Sequence, residues 1–344
     1  VYFFDEEKAN HACKFIELLS HVKGKWAKKL ERIKLEDFQC FLVSSIFGWK
    51  VRETGLRRYR LAYVCMPRKN AKSTLAAGIG IYGLCADGEY GAEIYSGATT
   101  EKQAWEVFGP ALEMVRKSQK LQEHFGITPA ASRMFVRNTL SKFEPLIGNP
   151  GDGASPSLYI VDEYHEHAND SLFDTMQTGT GAREQPVGLI ITTAGSNIEG
   201  PCHSFQRECE RMLEGTLDRP ELFALIFTID EGDEWTSEEA LRKANPNFDV
   251  SVSGDFLRTQ IKNAVADARK QNICKTKHLN IWVNAATGWL NMEAWKKCGD
   301  PSLQAREFLG LPCFGAVDLS SKVDIAARAK IFRKRIDGFD HYYL

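Results

Sequence analysis

The chain has almost no net charge: 44 lysines and arginines against 45 acids leave -1 over 344 residues. That balance excludes a protein that is basic throughout, so contact with nucleic acid has to come from local clusters. The runs KGKWAKKLERIK (23–34), RRYR (57–60) and FRKR (332–335) are such clusters, each equally readable as a solvated face. Closely paired cysteines are also missing. Nine cysteines without a C-x-x-C pair, and no secretory leader, point to free thiols in a reducing compartment, the cytosol. Cys202, His203 and Cys209 come nearest to a metal cluster but lack a second ligand pair at tight spacing, and read as core or helix-face residues. No apolar run is long enough to cross a bilayer, so no membrane partner is expected. LAAGIGIYGLCA (75–86) is short and broken by glycine, which predicts a buried helix.

A further shortage is local. In YVCMPRKNAKSTL (63–75), Met66 and Ala71 stand where a phosphate-binding loop ordinarily has glycine, yet the rest of the pattern is there. A strand ends near Cys65, a polar loop follows, and Lys72-Ser73-Thr74 opens a helical run, so backbone N–H groups and a helix dipole converge on an anion site. Such a loop wraps its phosphate closely and visits positive φ, which alanine and methionine resist. Asn70 tolerates the left-handed region better than most residues and is expected to absorb that strain. A basic surface loop is the competing reading.

The surrounding pattern favours the nucleotide. The first sixty residues carry two helical stripes, EEKANHACKFIELLSHV and LEDFQCFLVSSIFGW. Apolar strands are then expected at 59–65, 92–98, 157–163, 186–194 and 221–230, alternating with helices at 72–86, 100–118 and 199–214. That alternation predicts an α/β fold, a mostly parallel sheet with helices on both faces and its ligand at the strands' carboxyl ends. SLYIVDEYHEH (157–167) ends a strand with Asp162 and Glu163: the first suits a Mg²⁺ shell, the second the activation of a water. A helix N-cap, or a metal site including His165 and His167, is the alternative for these acids. LIITTAGSN leaves Thr192 and Thr193 at the next strand end, placed to sense a γ-phosphate or simply to cap the strand. Gln39 lies at a helical position suited to an adenine edge, with Phe38 or Trp49 to pack nearby. Arg183, in GTGAREQP, is the candidate for a positive charge offered across a subunit boundary to the transferred phosphoryl group, or else an arginine bonding carbonyls at a helix end.

The ordered run LEDFQCF…GW, PRKNAKST, SGATTEKQA, GNPGDGASPSLYIVDEYHEH, REQPVGLIITTAG, ANPNF and KHLNIWVNAATGWL resembles the large terminase subunit of tailed bacteriophages, essentially throughout. It is most similar to the branch found in HK97-like phages, where an arginine and an asparagine stand in the phosphate loop. The resemblance implies a P-loop NTPase of the RecA/ASCE type, a motor that spends ATP to drive double-stranded DNA into a prohead. It implies ATP and Mg²⁺ along 68–74, that is Arg68, Lys69, Asn70, Ala71, Lys72, Ser73 and Thr74. Arg68 matches an arginine that reports γ-phosphate loss, Asp162 and Glu163 the Walker B pair, Thr192 and Thr193 the coupling motif, and Gln39 the adenine contact. Implied partners are the small terminase subunit, the portal protein and further copies in a homo-oligomeric ring, within the host cell cytoplasm.

The expected division is a helical segment with the adenine motif (1–58), the ATPase core (59–235), a helical lid or linker (236–307) and the start of an RNase H-like nuclease domain (308–344). In that last part Asp318 ends the first strand and matches a ligand for Mg²⁺ or Mn²⁺, while Asp324, at the start of the next strand, is expected to face the turn. Since further acids would follow Leu344, the chain alone is expected not to cleave DNA. Two rivals come from other classes. VDEYH also fits the DExH box of a superfamily 2 helicase, and a loop without glycine would suit a non-enzymatic assembly scaffold.

Overall fold

The computed structural model describes residues 1–147, 153–284, 295, 297–319 and 326–344. They form two compact units, 1–290 and 291–344. In the first, β1 (Tyr2–Phe4) pairs with β2 (Trp49–Val51) around α1 (Glu6–Leu18), the short α2 (Gly24–Lys28) and α3 (Asp37–Gly48). Asp5 caps α1 by accepting from the Lys8 N–H. Both helical stripes of the sequence are present; the small β1–β2 pair has no periodicity long enough to announce it.

All five expected strands form. They are β3 (Leu61–Cys65), β4 (Glu93–Ala98), and, beyond an antiparallel extension of β5 (Ile127–Pro129), β6 (Met134–Val136) and β7 (Ser141–Ile147), β8 (Leu158–Asp162), β9 (Val187–Thr192) and β10 (Leu222–Ile226). The sheet order is β10-β3-β9-β8-β4-β7-β6-β5, parallel from β10 to β7. Thus β9 lies between the strand that feeds the phosphate loop and the strand that carries the acids. Register aligns Cys65 with Thr192 and Asp162 with Ile191, so the residues just beyond these three strands emerge side by side.

Side-chain alternation along these strands supplies two faces. Ala62 and Val64 join Ile160, Leu189 and Ile191 under α1, α3, α4 (Lys72–Cys85) and α5 (Glu101–Arg116). Leu61, Tyr63 and Cys65 join Tyr159, Val161 and Ile190 under α7 (Ser171–Gly179) and α8 (Pro201–Leu213), which follow α6 (Gln119–Phe125) in the chain. Helix α4 is apolar on every side and buried from Leu75 to Leu84, as expected of a helix in a core. It sits so close to the sheet that a Cβ on Gly80 would meet the Phe143 ring at 2.7 Å. Helices α9 (Glu238–Ala244), α10 (Gly254–Ala266) and α11 (Gln271–His278) share a smaller core built on Leu241, Leu257 and Leu279.

The second unit contains an antiparallel sheet of β11 (Cys313–Asp318), β12 (Ala327–Ile336) and β13 (Phe339–Tyr343), the three strands expected there. Asp318 ends β11 and is exposed; Asp324 lies outside the described residues. Among the described residues no helix is long and apolar enough to cross a membrane.

Candidate nucleotide site

The loop between β3 and α4 bends without glycine at a cost. Lys69 and Ala71 both take positive φ, 71° and 63°. A left-handed non-glycine residue costs roughly 1–2 kcal/mol, so something must hold the loop there. Asn70 does so, in a role other than the expected one: its backbone is not left-handed, and its buried side chain acts as a staple. Its Nδ2 donates to Pro67 O at 3.2 Å and Asn245 Oδ1 at 2.9 Å, and its Oδ1 accepts from the Asn247 N–H at 3.0 Å. Asn245 and Asn247 belong to ANPNF, 175 and 177 residues further on. Ala71 is also the N-cap of α4 and offers no side-chain acceptor. The first amide N–H groups of that helix therefore point to an anion.

Lys72 opens α4 and is buried. Its Nζ donates to Met66 O at 2.6 Å, Pro67 O at 3.1 Å and Thr193 Oγ1 at 3.2 Å. Burial holds its pKa below the ordinary lysine value, while Glu163 and then Asp162 pull it back up. Thr193 in turn donates to Glu163 Oε2 at 3.5 Å, so one hydroxyl joins the loop lysine to the second acid. Burial, and then the neighbouring Glu163, push the Asp162 carboxyl up to about 7. The Glu163 N–H donates to Asp162 Oδ1 at 2.9 Å, and Glu163 itself is left-handed, with φ 48°. Backbone strain of this sort collects at functional sites.

Lys72, Asp162 and Glu163 line one cleft of about 620 Å³ with Arg68, Lys69, Ala71, Ser73 and Thr74, while Thr193 lies buried behind it. Its opposite wall was not read from the sequence: Lys102, Gln103, Glu106 and Pro110 from α5, with Lys23 and Glu166. Lys23 belongs to a basic run and stands at the N-cap of α2; it pairs with Glu106 of α5 at 3.5 Å. Arg68 stands half-exposed at the rim, 3.7 Å from Glu166.

Three sequence candidates sit elsewhere. Thr192 follows strand alternation to the other face. Its buried hydroxyl accepts from the His165 N–H at 3.0 Å and lies 3.6 Å from Cys202 Sγ, so of the two threonines only Thr193 reaches the loop lysine. Gln39 occupies the third position of α3 and accepts from the Glu36 N–H at 3.0 Å in a capping box, so its Oε1 is committed to its own helix. The adjacent Phe38 packs on Phe227, whose N–H bonds to Cys65 O, so this helix end still lies near the loop. Arg183 precedes β9, at the amino end of the sheet, a strand length of roughly 17–20 Å from the cleft. Its guanidinium donates to Ser155 O at 2.9 Å and pairs with Glu89 and Glu93. These partners are in its own subunit and hold it away from its own cleft, whereas the expected role concerns the cleft of a neighbouring subunit. His165 and His167 do not make a metal centre: among the described residues no group of three or more His, Cys, Asp or Glu is placed to hold an ion.

Comparison with known proteins gives the family. Residues 37–211 match the family model of the terminase large subunit ATPase domain, and 218–344 that of its endonuclease domain. The chain belongs to the terminase large subunit family. Over 193 residues, 56% of this chain and 42% of the relative, it is 51% identical to protein YmfN of Escherichia coli K12. Over 273 residues, 78% of this chain and 52% of the relative, it is 25% identical to the terminase large subunit of Enterobacteria phage HK97. This terminase chain thus spans about half the length of the curated relatives it matches. The crystal structure of the HK97 large terminase has the same fold, with a TM-score of 0.69 at 22% identity over 98% of this chain and 67% of that one. The endonuclease match begins at 218, so it takes in β10 and the α9–α11 helices as well as the three-stranded sheet.

Proposed function

We propose that this chain hydrolyses ATP to move double-stranded DNA into a viral prohead, as the large subunit of a packaging motor that also carries a metal-dependent endonuclease. The observation that carries the reading is the Thr193 hydroxyl, 3.2 Å from Lys72 Nζ and 3.5 Å from Glu163 Oε2, which puts a phosphate-binding cation and a general base in one cleft.

Within that cleft the α4 N-terminus and Lys72 bind phosphate oxygens, and the Lys72 charge offsets the negative charge that grows during transfer. Ser73 and Asp162 are the residues that would hold Mg²⁺. One carboxylate and one hydroxyl suit this ion, which completes its shell with water and phosphate oxygens. When bound it would supply positive charge to offset the negative charge of the phosphates. Glu163 orients a water and takes its proton, and Arg68 at the rim is placed to report loss of the γ-phosphate to the rest of the motor. Gln39 Nε2 remains for an adenine edge. In the second unit Asp318 would serve as one ligand of a Mg²⁺ or Mn²⁺ nuclease centre, which takes several acids from separate strands.

The family relationship supports the small terminase subunit, the portal protein and further copies of this chain in a ring as partners, in the cytoplasm of the host cell. The DExH helicase reading has no support in the family matches or the fold: the second unit carries an antiparallel three-stranded sheet of a different kind from a RecA-like domain.

The test is Glu163→Gln, assayed with and without duplex DNA. ATP turnover should fall at least about 100-fold, in keeping with the loss of a general base, while binding of a fluorescent ATP analogue persists. Wild-type turnover in the variant, or strand displacement by the wild type, would overturn the reading.

A further inference from the structure

His165 lies behind the proposed base and touches it. Its Nδ1 is 3.2 Å from Glu163 Oε2 and also 3.2 Å from Thr192 Oγ1, while its Nε2 is 3.0 Å from Lys277 Nζ and 3.6 Å from Glu166 Oε1. Lys277 comes from α11, in a segment far along the chain, and the same residue's carbonyl accepts from the Arg68 N–H of the phosphate loop at 3.0 Å.

We infer that Lys277 is a positioning residue for ATP hydrolysis, which sets the His165 tautomer and through it the orientation of Glu163. An ammonium can only donate, so the ring nitrogen facing Lys277 must be an acceptor. In a neutral imidazole the other nitrogen then carries the proton; Nδ1–H donates to Thr192 Oγ1 and keeps its positive end 3.2 Å from Glu163 Oε2. Burial favours the neutral ring, and the charges of Lys277, Arg68, Lys72 and, weakly, His167 reinforce that preference. Glu163 Oε2 is thereby held between the Thr193 hydroxyl, which donates to it, and the protonated Nδ1 face of His165, 3.2 Å away, which leaves Oε1 for water in the cleft. Without Lys277 the ring is free to turn its acceptor nitrogen to Glu163, and the carboxylate loses its orientation. The arrangement also makes the helix preceding the second unit a structural part of the ATPase centre.

This inference rests on Glu163 acting as the base, and the experiment separates the two. In the wild-type protein, ¹⁵N-labelled at histidine, the His165 resonances, assigned by loss in His165→Gln, should show protonated Nδ1 and unprotonated Nε2. The opposite tautomer, or a doubly protonated ring, overturns the inference whether or not the protein turns over ATP. Lys277→Met should lower kcat about tenfold or more with the KM for ATP within twofold, whereas Lys277→Arg, which keeps a donor at Nε2, should retain most of the rate. An unchanged kcat in Lys277→Met, a loss carried mainly in KM, or equal losses in the Met and Arg variants would also overturn it. Failure of Glu163→Gln to reduce turnover sinks the base assignment instead, a result read from a different variant.

Discussion

Asp162 is nearly fully buried, and its carboxyl is pushed up to about 7 from an ordinary value of 3.8. Between those two values the folded protein keeps a proton that the unfolded chain releases, so this residue's contribution to stability is present at low pH and is lost as pH rises through about 7. In buffer free of divalent ions, Asp162→Asn should remove that loss: its thermal midpoint should exceed the wild-type value at pH 8 and approach it near pH 4, as calorimetry at both pH values would show. The loop offers a second prediction. Ala71 sits at φ 63°, so Ala71→Gly relieves strain of about 1–2 kcal/mol while adding about 0.5–1 kcal/mol of backbone entropy. The expected net gain is up to about 1.5 kcal/mol by denaturant unfolding, with ATP affinity maintained or improved; a net loss would show that the loop is not strained. Chemical type was legible at this scale, since Lys72, Asp162 and Glu163 meet as their spacing implies. Which residue bends the loop was not. Asn70 has the better intrinsic tolerance of the left-handed region, but the amide is worth more as a bridge to Asn245 and Asn247, and those partners lie 175 and 177 residues away.

At the scale of elements, the position of β9 decides the site. Its insertion between β3 and β8 delivers Thr193 to the gap between loop and acids, and period-2 alternation sends Thr192 to the opposite face. The apolar runs predicted the parallel strands, but their order depends on how crossovers pack, which no run encodes. The antiparallel edge strands β5 and β6 went unread because they have three residues each, too short to show a period. A buried ion pair ties elements together at the other end of the sheet: Arg57 donates from Nη2 to both oxygens of Asp87 at 2.7 Å, and from Nη1 to Gln185 O at 2.5 Å. In the sequence Arg57 belonged to a basic cluster suited to DNA; in the fold its side chain is fully enclosed and stacks on Phe47. Asp87→Asn leaves that guanidinium without its charge partner. It should cost about 3–5 kcal/mol in chemical unfolding, with ATP binding retained in the fraction that folds.

On the scale of the whole molecule, the proposed action on DNA requires a chain of net charge -1 to grip it with local patches. Stimulation of ATP turnover by duplex DNA is therefore expected to fall steeply between about 50 and 200 mM salt, with the logarithm of apparent DNA affinity linear in that of salt. A flat salt response would point away from phosphate contacts. The linear order of residues determined the chemistry of this protein and the class of its fold: a strand, a loop, Lys72 and Ser73; a strand, Asp162 and Glu163; apolar runs of strand and helix length in alternation. These are short-range properties, set by backbone geometry and side-chain type within a few residues. Tertiary structure alone decided which of the candidates share a cleft. It took Arg183 to the far end of the sheet and turned Thr192 away, enclosed Arg57, and brought Lys277 to the back of His165. The outcomes for Arg183, Arg57 and Lys277 are contacts between segments 30 or more residues apart, and Thr192 meets His165 across 27; all are fixed by packing on two faces of one sheet.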